Sequence, residues 1–259
     1  MENLTSQHSK QILIFDVESE YGHFRKFNTT TSPLTYSIPT RPAIAGLLGA
    51  ILGIEREFSA NKFNTGIVPV AEIFAKSKAN IGVQILNPIK KVNIAFNLLD
   101  TEKTAASFFN VKQRTQIEFE LLKEPKFRIF VALQDEKLFA QLTDRVKKNQ
   151  THFTPYLGLS QFTAMIEYKG IETATLLSKN EFHEVVTAVN VSELDANNSI
   201  EFNSSVDFKY TSDTLPIEMK RDREVTEYSE VIMETNGNTI QVKSDKIYQT
   251  IQFGNILFL

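Results

Sequence analysis

Apolar residues in this chain fall into short, dense blocks divided by polar stretches, and the spacing inside each block predicts an element. Residues 11–17 (QILIFDV) are rich in β-branched and aromatic side chains and predict a buried strand. A polar, Thr-rich loop follows over 21–40, carrying Phe24, Phe27 and Tyr36, and Pro33 and Pro39 hold it extended. From 42 to 54 the period changes. Leu47, Leu48, Ile51 and Ile54 recur at helical spacing, Thr40 can cap the helix, and Pro42 suits its first turn. Gly46, Gly49 and Gly53 lower helix propensity, so a helix that keeps them is expected to pack very close to something.

Strand-like runs occupy 81–86, 92–99, 115–122 and 127–133, with a polar segment over 100–114 that reads as the tip of a hairpin or arm. Residues 135–148 form an amphipathic helix, with Leu138, Phe139, Leu142 and Val146 on one side and Lys147 and Lys148 at the C-terminal end, where cations suit the helix dipole. Further strands are predicted at 162–168, 185–189, 205–210, 225–233 and 247–253. The order is strand, helix, strands, helix, strand, then a mostly β remainder. It predicts an α+β fold of the ferredoxin-like kind with an inserted β-hairpin. The domain reading is residues 1–170 with the insertion at about 73–114, and a β-rich part over 171–259 packed on it. Fold alone does not give function.

The 259 residues include no cysteine, which excludes a disulfide framework, a thiolate zinc site and a thiol nucleophile. The apolar run 43–54 is too short to cross a bilayer, so no membrane partner and a cytoplasmic location are expected. The net charge is −3, but it is unevenly spread: residues 1–130 hold 16 Lys and Arg against 12 Asp and Glu, the remainder 12 against 19. Two stretches carry no carboxylate. Residues 21–54 contain His23, Arg25, Lys26 and Arg41; residues 73–99 contain Lys76, Lys78, Lys90 and Lys91. A polyanion can approach such stretches without meeting like charge. Solvated surface is the competing reading.

No P-loop or GxGxxG is present, so no nucleotide cofactor is expected. Gly46-Leu47-Leu48-Gly49 has GxxG spacing, but inside a helix it reads as close packing. His8, His23, His152 and His183 show no metal spacing, and the carboxylates over 218–234 are irregular and interrupted by Lys220, Arg221 and Arg223, so no metal is expected. His23 lies among Tyr21, Arg25 and Lys26. That group can bind phosphate, and it can also do general acid–base work on an RNA 2′-hydroxyl. Thr29, Thr30 and Thr31 beside these cations suit sugar-phosphate contacts, and Phe24, Phe27 and Tyr36 offer either stacking surfaces or core.

The stretch GHFRKFNTTTSPLTYSIPTRPAIAGLLGAILGI, residues 22–54, resembles the N-terminal signature of the CRISPR-associated protein 5 family, a RAMP-superfamily subunit of type I Cascade complexes. Tyr156-Leu157-Gly158-Leu159-Ser160 with Phe162, and residues 215–234 with LPIEM, DREV and YSEVIMET, are similar too; the flavour is closest to type I-B. The resemblance implies a RAMP ferredoxin-like domain with a β-hairpin thumb that caps the 5′ handle of the CRISPR RNA in antiviral defence. It implies contacts with the backbone subunit (CRISPR-associated protein 7 family) and the large subunit (CRISPR-associated protein 8 family); target DNA is a further candidate partner that the sequence leaves open. The acid-free stretches and the loop between them supply the RNA-binding candidates His23, Arg25, Lys26, Thr29, Thr30, Thr31, Tyr36 and Arg41, and the resemblance implies that Lys76, Lys78, Lys90, Lys91, Lys112 and Arg114 lie in or near the thumb. The chain is expected not to be an enzyme. The alternative is the type I-C branch, a metal-independent endonuclease using Tyr, Lys and His, for which Tyr21, His23 and Lys26 are the candidates.

Overall fold

The computed structural model describes residues 9–26, 32–54, 68–99, 114–177, 181–195 and 199–259. The strands are β1 (Ser9–Glu18), β2 (Tyr21–Gly22), β3 (Ala79–Ile85), β4 (Lys91–Leu99), β5 (Arg114–Lys123), β6 (Lys126–Leu133), β7 (Met165–Leu176), β8 (His183–Val185), β9 (Val189–Asn190), β10 (Ile200–Glu201), β11 (Tyr210–Met219), β12 (Val225–Glu234), β13 (Ile240–Val242), β14 (Tyr248–Gln249) and β15 (Asn255–Ile256). The helices are α1 (Arg41–Leu52), α2 (Val70–Ile73) and α3 (Glu136–Lys147).

Four strands and two helices form the expected frame. The strands run β7-β1-β6-β3 within a nine-stranded sheet, and each neighbouring pair is antiparallel. With α1 between β1 and β3, and α3 between β6 and β7, this is the strand order of a split βαβ sandwich. Alternation sorts the side chains. Leu13, Phe15 and Val17 of β1, with Ile129 and Val131 of β6 and Ile81 and Val83 of β3, meet Ile44, Leu48 and Ile51 of α1 and Leu142 of α3 in one core. Ile12, Ile14 and Phe130 point the other way and pack under Tyr248, Ile256 and Phe258.

Both faces of β1 are therefore buried, which is why residues 11–17 read as a nearly continuous apolar run. The exception is Asp16, 3% exposed, held by both arms of the Arg128 fork at 2.7 and 3.0 Å. Arg128 in turn lies 4.7 Å from the Phe253 ring.

The part after 171 extends the same sheet. Beyond β7 come β14, β15, β8, β13 and β10. The sheet curls so that the segments following β8 and β15 reach the free edge of β3. Ala188 donates to the Val83 carbonyl (2.8 Å), and Leu259 donates to the Ile81 carbonyl (2.9 Å). A three-stranded sheet, β11-β12-β9, lies beside α1, and a second, β2-β5-β4, forms an arm.

Several sequence expectations shift. Helix 42–54 ends at Leu52, because Gly53 adopts φ +80° and caps it through the Gly49 carbonyl. Strand 162–168 runs on to Leu176 through a bulge at Lys169, where the register slips between Ile14 and Phe15. The expected strand 205–210 is replaced by β11, which starts at Tyr210. The strand expected over 185–189 gives way to β8 and β9, and the one over 247–253 shrinks to β14, with β15 lying beyond it. The insertion placed at about 73–114 also moves. Residues 79–85 belong to the central sheet, and the arm is built by the antiparallel pair β4 (Lys91–Leu99) and β5 (Arg114–Lys123). Among the described residues no helix is long and apolar enough to cross a membrane.

Candidate nucleic-acid interface

β1 ends at Glu18, β6 begins at Lys126 and β3 ends at Ile85, all at one end of the central sheet. The arm and the segment after β1 emerge there together. Residues 24–26 and 34–36 form a short antiparallel ladder: Lys26 donates to the Leu34 carbonyl (2.9 Å), and Tyr36 donates to the Phe24 carbonyl (2.8 Å). Thr35 is buried, and its hydroxyl accepts from the Phe24 N–H at 2.8 Å. The ladder is stitched to the arm, since Glu120 of β5 donates its N–H to Pro33 and takes the Thr35 N–H on its carboxylate at 3.0 Å.

His23 sits at this junction and is only 2% exposed. Its Nδ1 donates to the Glu120 carbonyl at 2.8 Å, which fixes the Nδ1–H tautomer, and Nε2 has no hydrogen-bond partner. The ring meets Phe119 edge-on at 5.4 Å, and Phe119 meets Phe96 at 5.1 Å. Burial pushes the imidazole below its ordinary pKa. The bond to Glu120 opposes the shift, and the charge of Arg25 adds to it. Folded His23 therefore resists a proton that the unfolded chain accepts below about pH 6.5, so stability falls as pH drops through that window. The thermal midpoint is expected to be lower at pH 5.5 than at pH 7.5, and to drop less in His23→Gln. An equal drop in both proteins would remove His23 as the cause.

Gly158 holds the junction from the other side. Its φ is +87°, and a Cβ placed there would lie 1.8 Å from the His23 carbonyl oxygen. The His23 N–H donates to the Leu157 carbonyl at 3.0 Å, so loop 155–163 clamps the backbone of the candidate site. The sequence similarity around Gly158 marks this loop; its closeness to His23 was not readable from the sequence.

The structure divides the sequence-derived cations. Arg25, Lys78, Lys90 and Arg114 are exposed. Lys26 is paired with Asp213, lies 5.5 Å from the Tyr36 ring and is 19% exposed at its side chain. Tyr36 is buried rather than offered for stacking; its hydroxyl donates to the Lys26 carbonyl, and burial raises its pKa. Lys91 pairs with Glu120 at 3.1 Å and donates to the Thr35 carbonyl at 2.8 Å.

Arg41 departs furthest from the expectation. It is 2% exposed and donates to the Ala79 carbonyl (2.6 Å), the Ile217 carbonyl (3.4 Å) and Glu218 (3.2 Å), tying α1, β3 and β11 together. Lys76 also serves the fold, pairing with Glu193 and Glu227 at 2.9 Å each. Burial alone would lower its pKa, but the two carboxylates outweigh that and raise it. Thr29, Thr30, Thr31, Phe27 and Lys112 lie outside the described residues.

Tyr21, His23 and Lys26 do not converge. The Tyr21 ring faces Phe162 at 5.9 Å, His23 faces Glu120 and Phe119, and Lys26 faces Asp213. Lys76 and Lys78 also part from Lys90 and Lys91. They lie at opposite ends of β3, a strand of about 20 Å at its rise per residue. The acid-free stretches are not acid-free in space, because Glu120, Asp213, Glu218 and Glu227 arrive from strands remote in sequence. Among the described residues no group of three or more His, Cys, Asp or Glu could hold a metal ion.

A ferredoxin-like palm with a two-stranded β arm at one end defines the class: an α+β domain with a hairpin insertion. A family model described as "CRISPR-associated protein (Cas_Cas5)" matches residues 12–236, and the chain belongs to that family. A chain from a CRISPR RNA-guided surveillance complex shares the fold at 11% identity and a TM-score of 0.51, with 90% of each chain covered. A CRISPR protein from Archaeoglobus fulgidus is similar at 13% identity and a TM-score of 0.48, over 95% of this chain and 98% of that one. A chain of a type III-B Cmr-beta complex bound to cognate target RNA and AMPPnP is similar at 12% identity and a TM-score of 0.45, over 90% and 86%. No curated protein sequence matches.

Proposed function

We propose that this protein is a subunit of a type I CRISPR surveillance complex, of the I-B kind, that grips the 5′ handle of the CRISPR RNA. The observation that carries the reading is the gathering of the ladder between 24–26 and 34–36 and of strands β4 and β5 at one end of the sheet, with Arg25 and Lys90 exposed at the root and Arg114 further out. Family membership and the likeness to a chain from an RNA-guided complex support it. Phosphate contacts position an RNA without reading its sequence, which suits a repeat-derived end held before a variable spacer. The backbone and large subunits are the expected protein partners, with target DNA a further contact.

On this reading the subunit holds RNA without cutting it. The burial of His23 and the separate engagements of Tyr21 and Lys26 support that choice over the endonuclease alternative. Incubating repeat RNA with the purified protein in EDTA is expected to leave it intact; cleavage that disappears in His23→Ala would replace this reading with the enzymatic one. Triple substitution of Arg25, Lys90 and Arg114 by alanine is expected to weaken handle binding and flatten its salt dependence. The log–log slope should fall by about 0.7 per lost phosphate contact on a single strand. An unchanged slope would place the RNA elsewhere.

A further inference from the structure

The fold withdraws two of the rings that the sequence offers for base stacking: Phe24 and Tyr36 are 5% and 6% exposed. Open aromatic surface stands instead on loop 202–209, which joins β10 to β11. Phe202 is 58% exposed. Its ring lies 4.9 Å from Tyr210, and Phe208 stacks on Tyr210 at 6.0 Å. We infer that this loop is a second part of the RNA site, where Phe202 stacks on an unpaired base and Lys209 holds the adjoining phosphate. The inference rests on the reading that the chain grips the single-stranded end of a guide RNA.

Backbone hydrogen bonds place the loop beside that end. The Lys209 carbonyl accepts from the Thr235 N–H at 2.8 Å and from its hydroxyl at 3.0 Å, and the Thr235 carbonyl accepts from the Ile89 N–H at 2.8 Å. Thr235 therefore bridges Lys209 to the residue just before Lys90, and both lysines are exposed. On its other side the loop runs into β11. Asp213, about 10 Å along that strand from Tyr210, pairs with Lys26 of the 24–26 ladder strand. The loop thus continues the surface made by the arm root and the ladder.

The loop is also held in shape. The Glu234 carboxylate, 3% exposed, accepts from the backbone N–H groups of Lys209 (2.7 Å), Asn236 (3.2 Å) and Asn238 (2.5 Å). The Asp207 carbonyl accepts from the side-chain amides of Asn236 and Asn238 at 2.8 and 3.0 Å, and the Tyr210 hydroxyl accepts from the Asn203 N–H at 3.1 Å. A ring presented on a loop already fixed in this way loses little entropy when a ligand settles on it.

Charge decides which part of a nucleotide fits. Glu201 and Asp207 are exposed within and beside the loop and repel a run of phosphates. Stacking needs no charge and tolerates any base, so one base on Phe202 with its phosphate at Lys209 avoids that penalty. A protein partner would use the same apolar groups, with Val206, 98% exposed, among them. The continuity with Lys90 and the ladder favours RNA.

The test measures binding of the full chain to single-stranded repeat-derived handle RNA by fluorescence anisotropy across a salt series. Phe202→Ala is expected to weaken binding about 5- to 150-fold and leave the salt slope unchanged. Phe202→Trp should bind as the wild type does, and Phe202→Leu, apolar but without a π face, should recover little. Lys209→Ala should lower the log–log slope by about 0.7. One abasic position in the RNA should weaken wild-type binding and cost Phe202→Ala nothing further. All four variants should keep the wild-type thermal midpoint, since both side chains are exposed. Wild-type affinity in Phe202→Ala, or abasic losses that are the same in both proteins at every position, would overturn the inference while leaving handle binding standing. Loss of partner subunits from Phe202→Ala with RNA affinity intact would overturn it too and give the loop to a protein. A wild-type chain that does not bind handle RNA would overturn both readings.

Discussion

Gly158→Ala is expected to cost about 3 to 5 kcal/mol. Two penalties combine. A residue with a Cβ is strained at φ +87°, by about 1 to 3 kcal/mol. The added methyl would also sit 1.8 Å from the His23 carbonyl oxygen, with its carbonyl carbon at 2.6 Å, so main chain must move rather than a side-chain tip. Overpacking of that kind costs about 1 to 3 kcal/mol more. The loss is large against a typical stability of about 5 to 15 kcal/mol. Differential scanning calorimetry should show the thermal midpoint about 10 °C lower, at about 2 to 4 °C per kcal/mol for a chain of this size. Because the displaced atoms belong to His23, RNA binding should fall together with stability. A variant with wild-type midpoint would show that the contact between loop 155–163 and His23 is not as tight as described.

Arg41→Ala should be nearly as severe, at about 3 to 5 kcal/mol, for a different reason. Burial lowers the pKa of its guanidinium and Glu218 opposes that shift, so the charge is kept inside by its partners. Removing it strips the Ala79 and Ile217 carbonyls of donors and leaves the Glu218 carboxylate with less positive charge beside it. It also unties α1 from β3 and β11 in one step. Arg41→Lys keeps the charge but loses the fork and should fall between. Urea titration distinguishes this role from phosphate binding. A structural arginine lowers the midpoint of unfolding, whereas an RNA ligand lowers affinity and leaves unfolding unchanged. The second outcome would restore the sequence-based expectation.

That reversal shows what the sequence carried and what it did not. β1 and the body of α1 were legible because their apolar patterns are local: QILIFDV is buried on both faces, and the Thr40 cap falls where helix chemistry puts it, whereas the stop at Gly53 was read through to Ile54. The βαββαβ order followed from those elements. The short strands after 171 were poorly legible because their pairing partners are remote. β15 pairs in parallel with β8 across 70 residues at a single position, Asn255 to Val185, and no local pattern encodes that. Residues 205–209 were read as part of a strand, but Phe208 stacks on Tyr210, where β11 begins, rather than entering a ladder.

For the site, the structure leaves Arg25, Lys78, Lys90 and Arg114 exposed among the cations the sequence singled out. Lys26, Lys76, Lys91 and Arg41 were not sorted from them, because Asp213, Glu193, Glu227, Glu120 and Glu218 come from distant strands. Charge along a chain reports composition; only the fold decides which charges meet.

The same fold joins two pH responses. Glu193 would be raised by burial, but Lys246 and Lys76 outweigh this and hold its pKa below the ordinary carboxylate value. Its contribution is present above that ordinary value and is lost as pH falls through the folded one. Acid should therefore loosen the Lys76 junction only after the His23 junction has weakened.

The central claim is that the protein holds the 5′ end of a guide RNA, and it is tested most directly by purifying the protein natively, extracting the bound RNA and sequencing it from the 5′ end. The account predicts short RNAs that share one repeat-derived 5′ handle and then diverge into different spacers. RNA with no common 5′ sequence, or none enriched while the partner subunits co-purify, would contradict it.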